Sequence, residues 1–485
     1  MIKRLGLGLL SFLALLFAVL AVNTWRQGSQ QLQEPAVSPV KVDSDAAAQR
    51  LAKSVTFRTV SSQDQPDATD AEFRKLHAYL VQQYPLLHGA LKREVIGASL
   101  LYTWPGTDPK ALPIALLAHQ DVVPIASGTE QAWSVDPFGG VIKDGFVWGR
   151  GTLDDKGNIL AQMEAVEMLL ASGFKPKQTI YLAMGQDEEV GGARGNKALV
   201  DLLASRGVKL DFVLDEGMVI TEGVFPGLSK PLALIGLAEK GGLNMQLSYD
   251  GKPGHSSMPP VPSAVGSMSK ALASLEDHQM PGGIKGVAAE MFGVLAPEMP
   301  TLNRVLLSNL WLTRSLVQGQ LEKSVTANAM LRTTTALTIV NGGNKANVLP
   351  GHVEATVNFR ILPGDTVAGV HEHVRAVVNN EAIKHQAEGG NEASPISPTS
   401  SKGYQTIART VRQMFPGMVV APGLVIVGTD SRHYTPLTDN IYRFSPMRFR
   451  SEDLTRLHGT NERIAISNYV EVIQFYHQLL RNIQT

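Results

Sequence analysis

The most informative segment of this sequence is Gly149-Arg150-Gly151-Thr152-Leu153-Asp154-Asp155-Lys156-Gly157. The glycines on both sides let the backbone approach other groups closely. The two aspartates stand just before a helical stripe of apolar residues from Asn158 to Ala171. Either aspartate could serve only as a helix cap, but a cap needs one aspartate and no flanking glycines. We therefore interpret Asp154 as a metal ligand.

Short apolar strands precede and follow this helix, and each leads into side chains that can bind a metal. The three transitions are Ile114 to Leu117 before His119-Gln120-Asp121, Thr179 to Met184 before Asp187-Glu188-Glu189, and Phe212 to Leu214 before Asp215-Glu216-Gly217. Strands that alternate with helices predict an α/β sheet. Because ligands bind beyond the carboxyl ends of strands in such sheets, we expect the three groups to meet at one edge.

Each of these groups also has an ordinary structural interpretation. In H-x-D on a strand, the side chains at i and i+2 share a face, so Asp121 could bind the second N–H of His119. An isolated H-x-D is nevertheless most often incidental. The acids from Asp187 to Glu189 could form a solvated turn, although they repel one another unless a cation or desolvation compensates. Acidic residues or histidine follow three successive strands, and the ordinary interpretation would have to hold separately at each of them. This recurrence favours a metal centre.

The composition restricts the metal ligands to histidine and carboxylate. The 485 residues include no cysteine, 12 histidines, and 44 basic and 44 acidic residues. Disulfides, thiolate metal sites and a cysteine nucleophile are therefore excluded. No basic excess supports a nucleic-acid partner. The length predicts more than one domain.

Five side chains from these motifs could hold two divalent cations. They are His119, Asp154 as the bridging group, Glu189, Asp215 and a late histidine. Nitrogen and oxygen ligands suit zinc, and also cobalt or manganese. Two metals about 3.5–4 Å apart can hold a hydroxide between them, and a free carboxylate such as Glu188 can relay its proton.

The amino terminus carries a targeting signal. Lys3 and Arg4 precede an apolar run from Leu5 to Val22, which is long enough to cross a hydrocarbon core of about 30 Å. The positive charges would stay cytoplasmic and place everything after Trp25 on the extracytoplasmic side, periplasmic or lumenal. This pattern predicts a membrane anchor.

A cleaved signal peptide is the alternative, because Val19 and Ala21 could form a small-residue cleavage site. The protein would then be secreted. The polar stretch that follows, residues 27–42, contains Pro35 and Pro39 and is typical of a tether.

A second domain interrupts the α/β pattern. Leu243 to Tyr249 and Glu354 to Ile361 alternate apolar and polar residues, as half-buried antiparallel strands do, and a helical stretch from Val261 to Leu321 lies between them. The predicted organisation is an anchor or signal peptide (1–26), a tether (27–42), a first catalytic part (43–236), an inserted lid domain (237–394) and a second catalytic part (395–485).

With its motifs in this order, the chain resembles the co-catalytic zinc carboxypeptidase/aminoacylase family, and within it the branch of carboxypeptidase S and the N-fatty-acyl-amino-acid hydrolases. The resemblance runs from about residue 45 to the C-terminus. It implies an α/β fold: a mixed-sheet zinc-hydrolase catalytic domain with an inserted α+β lid of the dimerisation type. It also implies two Zn²⁺ per subunit and cleavage of an amide bond next to a free carboxylate, in peptides or N-acyl amino acids.

The resemblance assigns a role to each motif residue of the catalytic domain. The implied roles are zinc binding by His119 and Asp215 at the first metal and by Glu189 and His458 at the second, bridging by Asp154, orientation of His119 by Asp121, and general base and acid catalysis by Glu188. His458 stands in the segment Leu457-His458-Gly459-Thr460-Asn461-Glu462.

In the lid domain, the resemblance implies that His255, in Gly254-His255-Ser256-Ser257, polarises the scissile carbonyl and stabilises the oxyanion. In dimeric members this histidine reaches the neighbouring subunit, so a homodimer through the lid is one expectation. Asn347 and Arg360 would hold the substrate carboxylate, which suits the planar fork of arginine. His255 could instead be a loop histidine, and Arg360 a surface residue. The stretch from about Gln279 to Lys323 is longer than the lid of smaller members.

Two other functions are compatible with parts of the pattern. One is a non-catalytic protein that binds peptides or acyl amino acids, although neither the base nor any ligand position is degraded. The other is a two-metal phosphoesterase, but no strand end offers a lysine-rich loop for phosphate. The segment from Gly428 to Tyr434 also resembles the family, and no catalytic step is assigned to it.

Overall fold

The computed structural model describes residues 2–225 and 227–484. Within them the α-helices are α1 (Ile2–Arg26), α2 (Ser44–Val55), α3 (Asp70–Gln83), α4 (Pro85–Ala90), α5 (Lys156–Ala171), α6 (Asn196–Ser205), α7 (Ala264–Asp277), α8 (Gly286–Leu295), α9 (Thr301–Ser308), α10 (Leu310–Leu321), α11 (Val325–Leu331), α12 (Val367–Val378), α13 (Lys402–Met414) and α14 (Ile466–Asn482). The strands are β1 (Lys92–Ile96), β2 (Ser99–Trp104), β3 (Ile114–His119), β4 (Val141–Lys143), β5 (Phe146–Trp148), β6 (Ile180–Gly185), β7 (Val213–Asp215), β8 (Ile220–Thr221), β9 (Leu232–Glu239), β10 (Gly241–Asp250), β11 (Gly254–His255), β12 (Thr334–Asn341), β13 (Val348–Leu349), β14 (His352–Ile361), β15 (Ile383–Asn391), β16 (Val419–Val425), β17 (Ile441–Arg443), β18 (Arg448–Phe449) and β19 (Arg463–Ala465).

The larger sheet has the order β1-β2-β6-β3-β7-β17-β9-β8-β18, and β16 pairs with β9. Strand β3 is parallel to both β6 and β7, whereas β2 is antiparallel to β6. The sheet is therefore mixed, and the predicted α/β fold is confirmed. The parallel pairing also brings the carboxyl ends of β3, β6 and β7 to one edge, where the three motifs predicted to bind metal follow.

Helices cover both faces of this sheet. Leu116 on β3 packs in the cluster formed with α5, α13 and α14, while Leu117 packs on the opposite face against α6. A parallel strand that is buried on both faces needs a continuous apolar sequence rather than alternating apolar and polar residues. This explains why the residues of β3 before His119 are all apolar. Helix α5 is buried around most of its circumference because α14 and α2 enclose it from the other side.

The smaller sheet has the order β12-β14-β10-β15, and its strands are antiparallel. Met245 on β10 lies opposite Val357 on β14, and both are buried beneath α7 and α12. Alternate residues face solvent, which is the pattern that the sequence predicted for this part of the chain. All four strands fall within the residues expected for the lid.

Helices α8 to α11 form a separate cluster that packs on β16 and β9 of the larger sheet. The sequence predicted helix between Val261 and Leu321, and the structure divides that stretch into α7, α8, α9 and α10, with further turns between them. Phe292 and Leu295 of α8 anchor the cluster and are almost fully buried.

The segment expected to be a tether lies along the surface of the catalytic part. Gln31 exchanges two hydrogen bonds with the backbone of Val420, at 3.0 and 2.7 Å, and Arg412 donates to the carbonyl of Leu32 at 2.9 Å. Val37 packs against the main core. The path from α1 to the catalytic part is therefore fixed by specific contacts.

Candidate active site

His119 is held at the end of β3 by buried backbone and side-chain contacts. It pairs with Gly185 on the parallel strand β6. The neighbouring Gln120 donates from its amide to the carbonyls of Ala98 and Met184, both at 2.9 Å. Because Gln120 is fully buried between these strands, the backbone around His119 has little freedom.

Asp121 contacts the acidic motif on the next strand as well as His119. Its two carboxylate oxygens accept the backbone N–H groups of Glu188 and Glu189, each at 3.1 Å. The Nδ1 atom of His119 lies 3.0 Å from the carbonyl oxygen of Asp121 and 3.4 Å from its carboxylate. Strand β3 ends at His119, so the i and i+2 geometry of a strand does not continue to Asp121. The carboxylate therefore fixes the turn that carries the two glutamates.

Asp154 lies between two imidazoles. Its Oδ1 atom is 2.8 Å from Nε2 of His119, and its Oδ2 atom is 3.0 Å from Nε2 of His458, 304 positions away in sequence. A carboxylate that presents one oxygen to each of two histidines is placed as a bridging ligand would be.

Asp155 has a different function from Asp154. It occupies the position before α5, yet its side chain makes no capping hydrogen bond to the helix backbone. Its carboxylate accepts instead from the side-chain amide of Asn158 at 2.5 Å and from the backbone N–H of His119 at 3.2 Å. The capping interpretation of the paired aspartates is therefore wrong for both of them.

Glu189 completes a group of three closely spaced potential ligands. One ligand atom from each of His119, Asp154 and Glu189 lies within 4.8 Å of the others. Glu189 also approaches Nε2 of His458 to 3.2 Å through Oε2. Its Oε1 atom is buried and has no hydrogen-bond partner in the described part of the chain. A buried carboxylate oxygen beside two imidazoles and a second carboxylate fits a divalent cation with nitrogen and oxygen ligands.

Asp215 lies at the end of β7, next to this group but outside the three closely spaced ligands. Its carboxylate accepts the backbone N–H groups of Glu216 at 3.0 Å and Ser431 at 2.8 Å. These two donors orient the carboxylate. Burial raises the pKa of Asp215, and the positive charges of Arg443 and His119 offset part of that rise.

The site holds an excess of buried negative charge. Burial raises the pKa of Glu188 well above its usual range, and the nearby carboxylates add to this effect. Burial likewise raises the pKa of Asp215 to about 6 and that of Asp430 to about 8. In contrast, hydrogen bonds from His119 and His458 outweigh burial at Asp154 and hold its pKa below the usual range. Such a cluster needs positive charge, which divalent cations would supply.

The loop that carries His458 is fixed by two residues that the sequence did not single out. Arg150 donates to the carboxylate of Glu462 at 2.7 Å and to the carbonyl oxygens of His458 and Gly459 at 3.2 and 2.9 Å. His458 itself has a φ of 56°, a left-handed conformation that a non-glycine residue adopts only when its surroundings hold it there. Both Arg150 and Glu462 lie within motifs quoted from the sequence. Their burial, which the sequence does not show, is what distinguishes them from ordinary charged surface residues.

The segment from Gly428 to Tyr434 supports the acidic motifs from the opposite side. Asp430 accepts from the side-chain amide of Asn196 at 2.6 Å, and Tyr434 donates to the same side chain at 2.7 Å. His433 lies 3.2 Å from the carbonyl oxygen of Gly191, just after the glutamate turn. This segment therefore packs against the turn that carries Glu188 and Glu189.

The predicted substrate-binding residues lie apart from the predicted metal ligands. Arg360 is also apart from the other two, because it pairs with Gly242 at one end of β14, whereas β11 and β13 lie next to the other end of that strand. His255 on β11 pairs with β13, and the backbone of Ser256 donates to the carbonyl of Asn347 at 3.2 Å. Arg360 is exposed on β14. Among the described residues, no hydrogen bond or ion pair connects His255, Asn347 or Arg360 to the ligand cluster. The structure thus brings four of the five predicted ligands into contact and leaves the lid residues apart from them.

Comparison with known proteins agrees with this geometry. The sequence profile of peptidase family M20/M25/M40 matches residues 115–482. The chain is 41% identical over 476 residues to a probable carboxypeptidase S-like 2 of Dictyostelium discoideum, covering 96% of this chain and 91% of the relative. It is 38% identical over 470 residues to the N-fatty-acyl-amino acid synthase/hydrolase PM20D1 of Xenopus tropicalis, covering 96% and 90%.

Solved structures share the fold. An M20 family metallo-carboxypeptidase from Sulfolobus solfataricus superimposes with a TM-score of 0.65 at 17% identity, covering 91% of this chain and 99% of the other. Human carnosine dipeptidase 1 gives a TM-score of 0.60 at 18% identity, with 91% and 96% covered. Because the family profile and these relatives extend over most of the sequence, the chain is an enzyme and belongs to peptidase family M20/M25/M40.

Proposed function

We propose that this enzyme hydrolyses the amide bond of peptides or N-acyl amino acids that carry a free carboxylate, using two zinc ions per subunit. The observation that supports two metals best is Asp154, whose two oxygens each approach a different histidine. Cobalt or manganese could replace zinc, because the same nitrogen and oxygen atoms suit all three.

The ligands divide into two sets around Asp154. His119 and Asp215 would hold the first ion, and Glu189 and His458 the second. When bound, the ions would polarise the scissile carbonyl and acidify a water molecule. The rest of the reaction depends on the protein's own side chains.

Glu188 is the proposed proton carrier. Its backbone is fixed by Asp121, and burial raises the pKa of its carboxyl group. A carboxylate with a raised pKa accepts a proton from water more readily and can then donate it to the leaving amine. Asp121 acts as a positioning residue, since its carboxylate holds the backbone of both glutamates.

The lid would supply the groups that bind the substrate outside the metal site. His255 would stabilise the oxyanion, while Arg360 and Asn347 would hold the carboxylate. In this conformation His255 and Arg360 are exposed to solvent. We infer that either closure of the lid or a second subunit brings these groups to the substrate, which is why a homodimer through the lid is part of the proposal.

We further propose that α1 anchors the enzyme in a membrane and leaves the catalytic part extracytoplasmic. The helix from Lys3 to Arg26 has a mean hydropathy of 2.7 over a membrane-length window, and none of that window is buried. Cleavage of the same helix as a signal peptide would give a secreted enzyme. Sequencing the amino terminus of the mature protein distinguishes the two forms.

A substrate panel tests the proposed activity. Zinc-loaded enzyme is given dipeptides of the Gly-Leu type, N-acyl amino acids with short and long acyl chains, and the amides of the same compounds, which lack the free carboxylate. We expect release of an amino acid from the acids and little release from the amides. Binding of the acids without any product would favour the non-catalytic alternative, and release of phosphate from simple esters would favour a phosphoesterase.

A further inference from the structure

The carboxyl end of α1 is attached to the corner between α9 and α10. Asn309 is fully buried at this corner. Its side-chain amide donates to the carbonyl of Leu20 at 3.3 Å and to the hydroxyl of Thr24 at 3.1 Å, and its side-chain oxygen accepts from Asn23 at 3.1 Å. Because both helices contribute polar partners, the corner has a defined position relative to the end of α1.

Arg304 of α9 strengthens the attachment. Its guanidinium donates to the carbonyl oxygens of Thr24 and Gln27 at 3.3 and 3.1 Å. The last carbonyls of a helix have no partner within the helix and carry partial negative charge. An arginine at this end therefore satisfies them and ties α1 to the body of the protein.

The same corner presents large apolar side chains to the outside. The exposed fractions are 71% for Leu302, 60% for Trp311 and 66% for Leu316. Helix α10 has no buried residue along its whole length. Trp25, at the end of α1, is 81% exposed. Large exposed apolar side chains that are concentrated in one short segment next to an apolar helix indicate a surface that contacts another apolar phase.

The chemistry of the corner indicates what that phase is. Tryptophan is enriched at the boundary between membrane and water. Two tryptophans belong to this junction: Trp25 follows Thr24 directly, and the indole of Trp311 donates to the side-chain oxygen of Asn309 at 3.2 Å. Residues 301–321 contain two arginines and no acidic residue. One of the two, Arg304, is engaged in the attachment to α1. A helical segment without acidic residues that exposes leucine and tryptophan is typical of segments that lie in the plane of a bilayer.

We propose that α9 and α10 lie on the membrane surface beside the anchor, with Leu302, Trp311 and Leu316 inserted at the level of the lipid head groups. This proposal depends on the proposed anchoring by α1 but not on the proposed chemistry of the active site. The end of α1 marks the boundary of the bilayer, and the contacts of Asn309 and Arg304 place the corner at that boundary. The enzyme body would then have one fixed face towards the lipid.

Because the chain contains no cysteine, a single introduced cysteine can carry a fluorescent probe. The full-length variants Leu302→Cys and Leu316→Cys are labelled and reconstituted into vesicles of phosphatidylcholine and phosphatidylglycerol, with and without lipids that carry a nitroxide at the head group. Phe12→Cys, within α1, reports on insertion of the anchor, and a nitroxide within the acyl chains is used for it. Val340→Cys is the matched control, since Val340 is an apolar residue 59% exposed on β12 of the lid.

We expect head-group nitroxide to quench the probes at Leu302 and Leu316 at least about twofold more than the probe at Val340, because contact quenching requires location at the lipid surface. Equal quenching at Leu316 and Val340, with Phe12→Cys quenched by acyl-chain nitroxide, overturns the proposal. A probe at Leu316 that is shielded from aqueous iodide but untouched by nitroxide lipids overturns it as well and indicates a second copy of the chain at this surface.

Quenching at Phe12→Cys and the release of amino acid distinguish failure of the surface contact from failure of the proposed anchor or of the proposed activity. If Phe12→Cys is not quenched, both the anchor and the surface contact are wrong. Amino-acid release by the same vesicles measures the hydrolase separately, so quenching at Leu302 and Leu316 without any release would support the surface contact and contradict only the proposed activity.

Discussion

Arg150 and Glu462 form an ion pair with a distance of 2.7 Å between Nη1 and Oε2, and both side chains are buried. The second oxygen of Glu462 accepts the backbone N–H groups of Gly151 and Leu153, each at 2.9 Å. The other arm of Arg150 holds the carbonyls of the His458 loop. One buried pair thus joins the loop that carries Asp154 to the loop that carries His458.

Replacing Arg150 with methionine should destabilise the protein by about 3–5 kcal/mol, because the carboxylate of Glu462 would stay buried without its partner. Metal binding that depends on His458 should weaken at the same time. Thermal unfolding and elemental analysis of the purified variant measure the two effects. The control is Arg206→Met, which removes an exposed pair with Glu94 and should cost less than about 1 kcal/mol. Equal melting temperatures for the two variants would contradict this account.

The variant Glu188→Gln should retain its metal and lose turnover by about 10²–10⁴-fold, because the amide cannot accept a proton from water. The comparison variant Glu189→Gln should instead lose metal, since its side chain belongs to the ligand group. Steady-state rates and metal content distinguish the two outcomes. Near-wild-type turnover by Glu188→Gln would show that another group carries the proton.

Removal of metal should make the stability of the protein fall as the pH rises. Burial raises the pKa of Asp215 to about 6 and of Asp430 to about 8, so without metal the folded state binds more protons than the unfolded state above about pH 4. The stabilising contribution is complete at lower pH and is lost as the pH rises through 6 and then 8. Melting temperatures of chelator-treated protein at pH 5 and pH 8 measure this.

Zinc-loaded protein is the control for that experiment, since bound cations compensate the carboxylates and should flatten the dependence over the same range. The opposite result, a higher melting temperature of the metal-free protein at pH 8 than at pH 5, would contradict this prediction. It would mean that Asp215 and Asp430 ionise in the folded state with little loss of folding free energy.

Substitution of Arg360 by alanine should raise KM for substrates with a free carboxylate by about 10–100-fold, the effect of losing a hydrogen bond between charged groups. The rate at saturation should change less. Arg375→Ala is the matched control, because Arg375 is also an exposed arginine of the lid, on α12. If the two variants have the same KM, Arg360 is a surface residue and another group binds the carboxylate.

Much of the site could be predicted from the sequence because its parts are local. His119, Glu189 and Asp215 each follow a short apolar strand, and the parallel order of β3, β6 and β7 brings the ends of such strands to one edge. The glycines around Asp154 likewise marked that loop as exceptional. These local patterns indicated a late histidine as a further ligand, but only the family resemblance assigned that role to His458.

The function of Asp121 was predicted less completely. The H-x-D spacing predicted that its carboxylate contacts His119, and one carboxylate oxygen lies 3.4 Å from Nδ1 of that histidine. The spacing did not indicate that both oxygens also accept backbone N–H groups from the glutamate turn. The strand ends at His119, two residues before Asp121, and no local pattern shows which backbone donors will lie opposite a loop.

By itself, the sequence determined the α/β architecture, the antiparallel strands within residues 243–361, the long apolar helix at the amino terminus and the types of side chain at the candidate metal site. Those features follow from periodicity and from chemistry encoded within a few neighbouring residues. Only the tertiary structure decided that Arg150 and Glu462 join two ligand loops and that Asn309 attaches α1 to α9 and α10. Such contacts connect positions separated by hundreds of residues, and burial, which the sequence does not record, determines their strength.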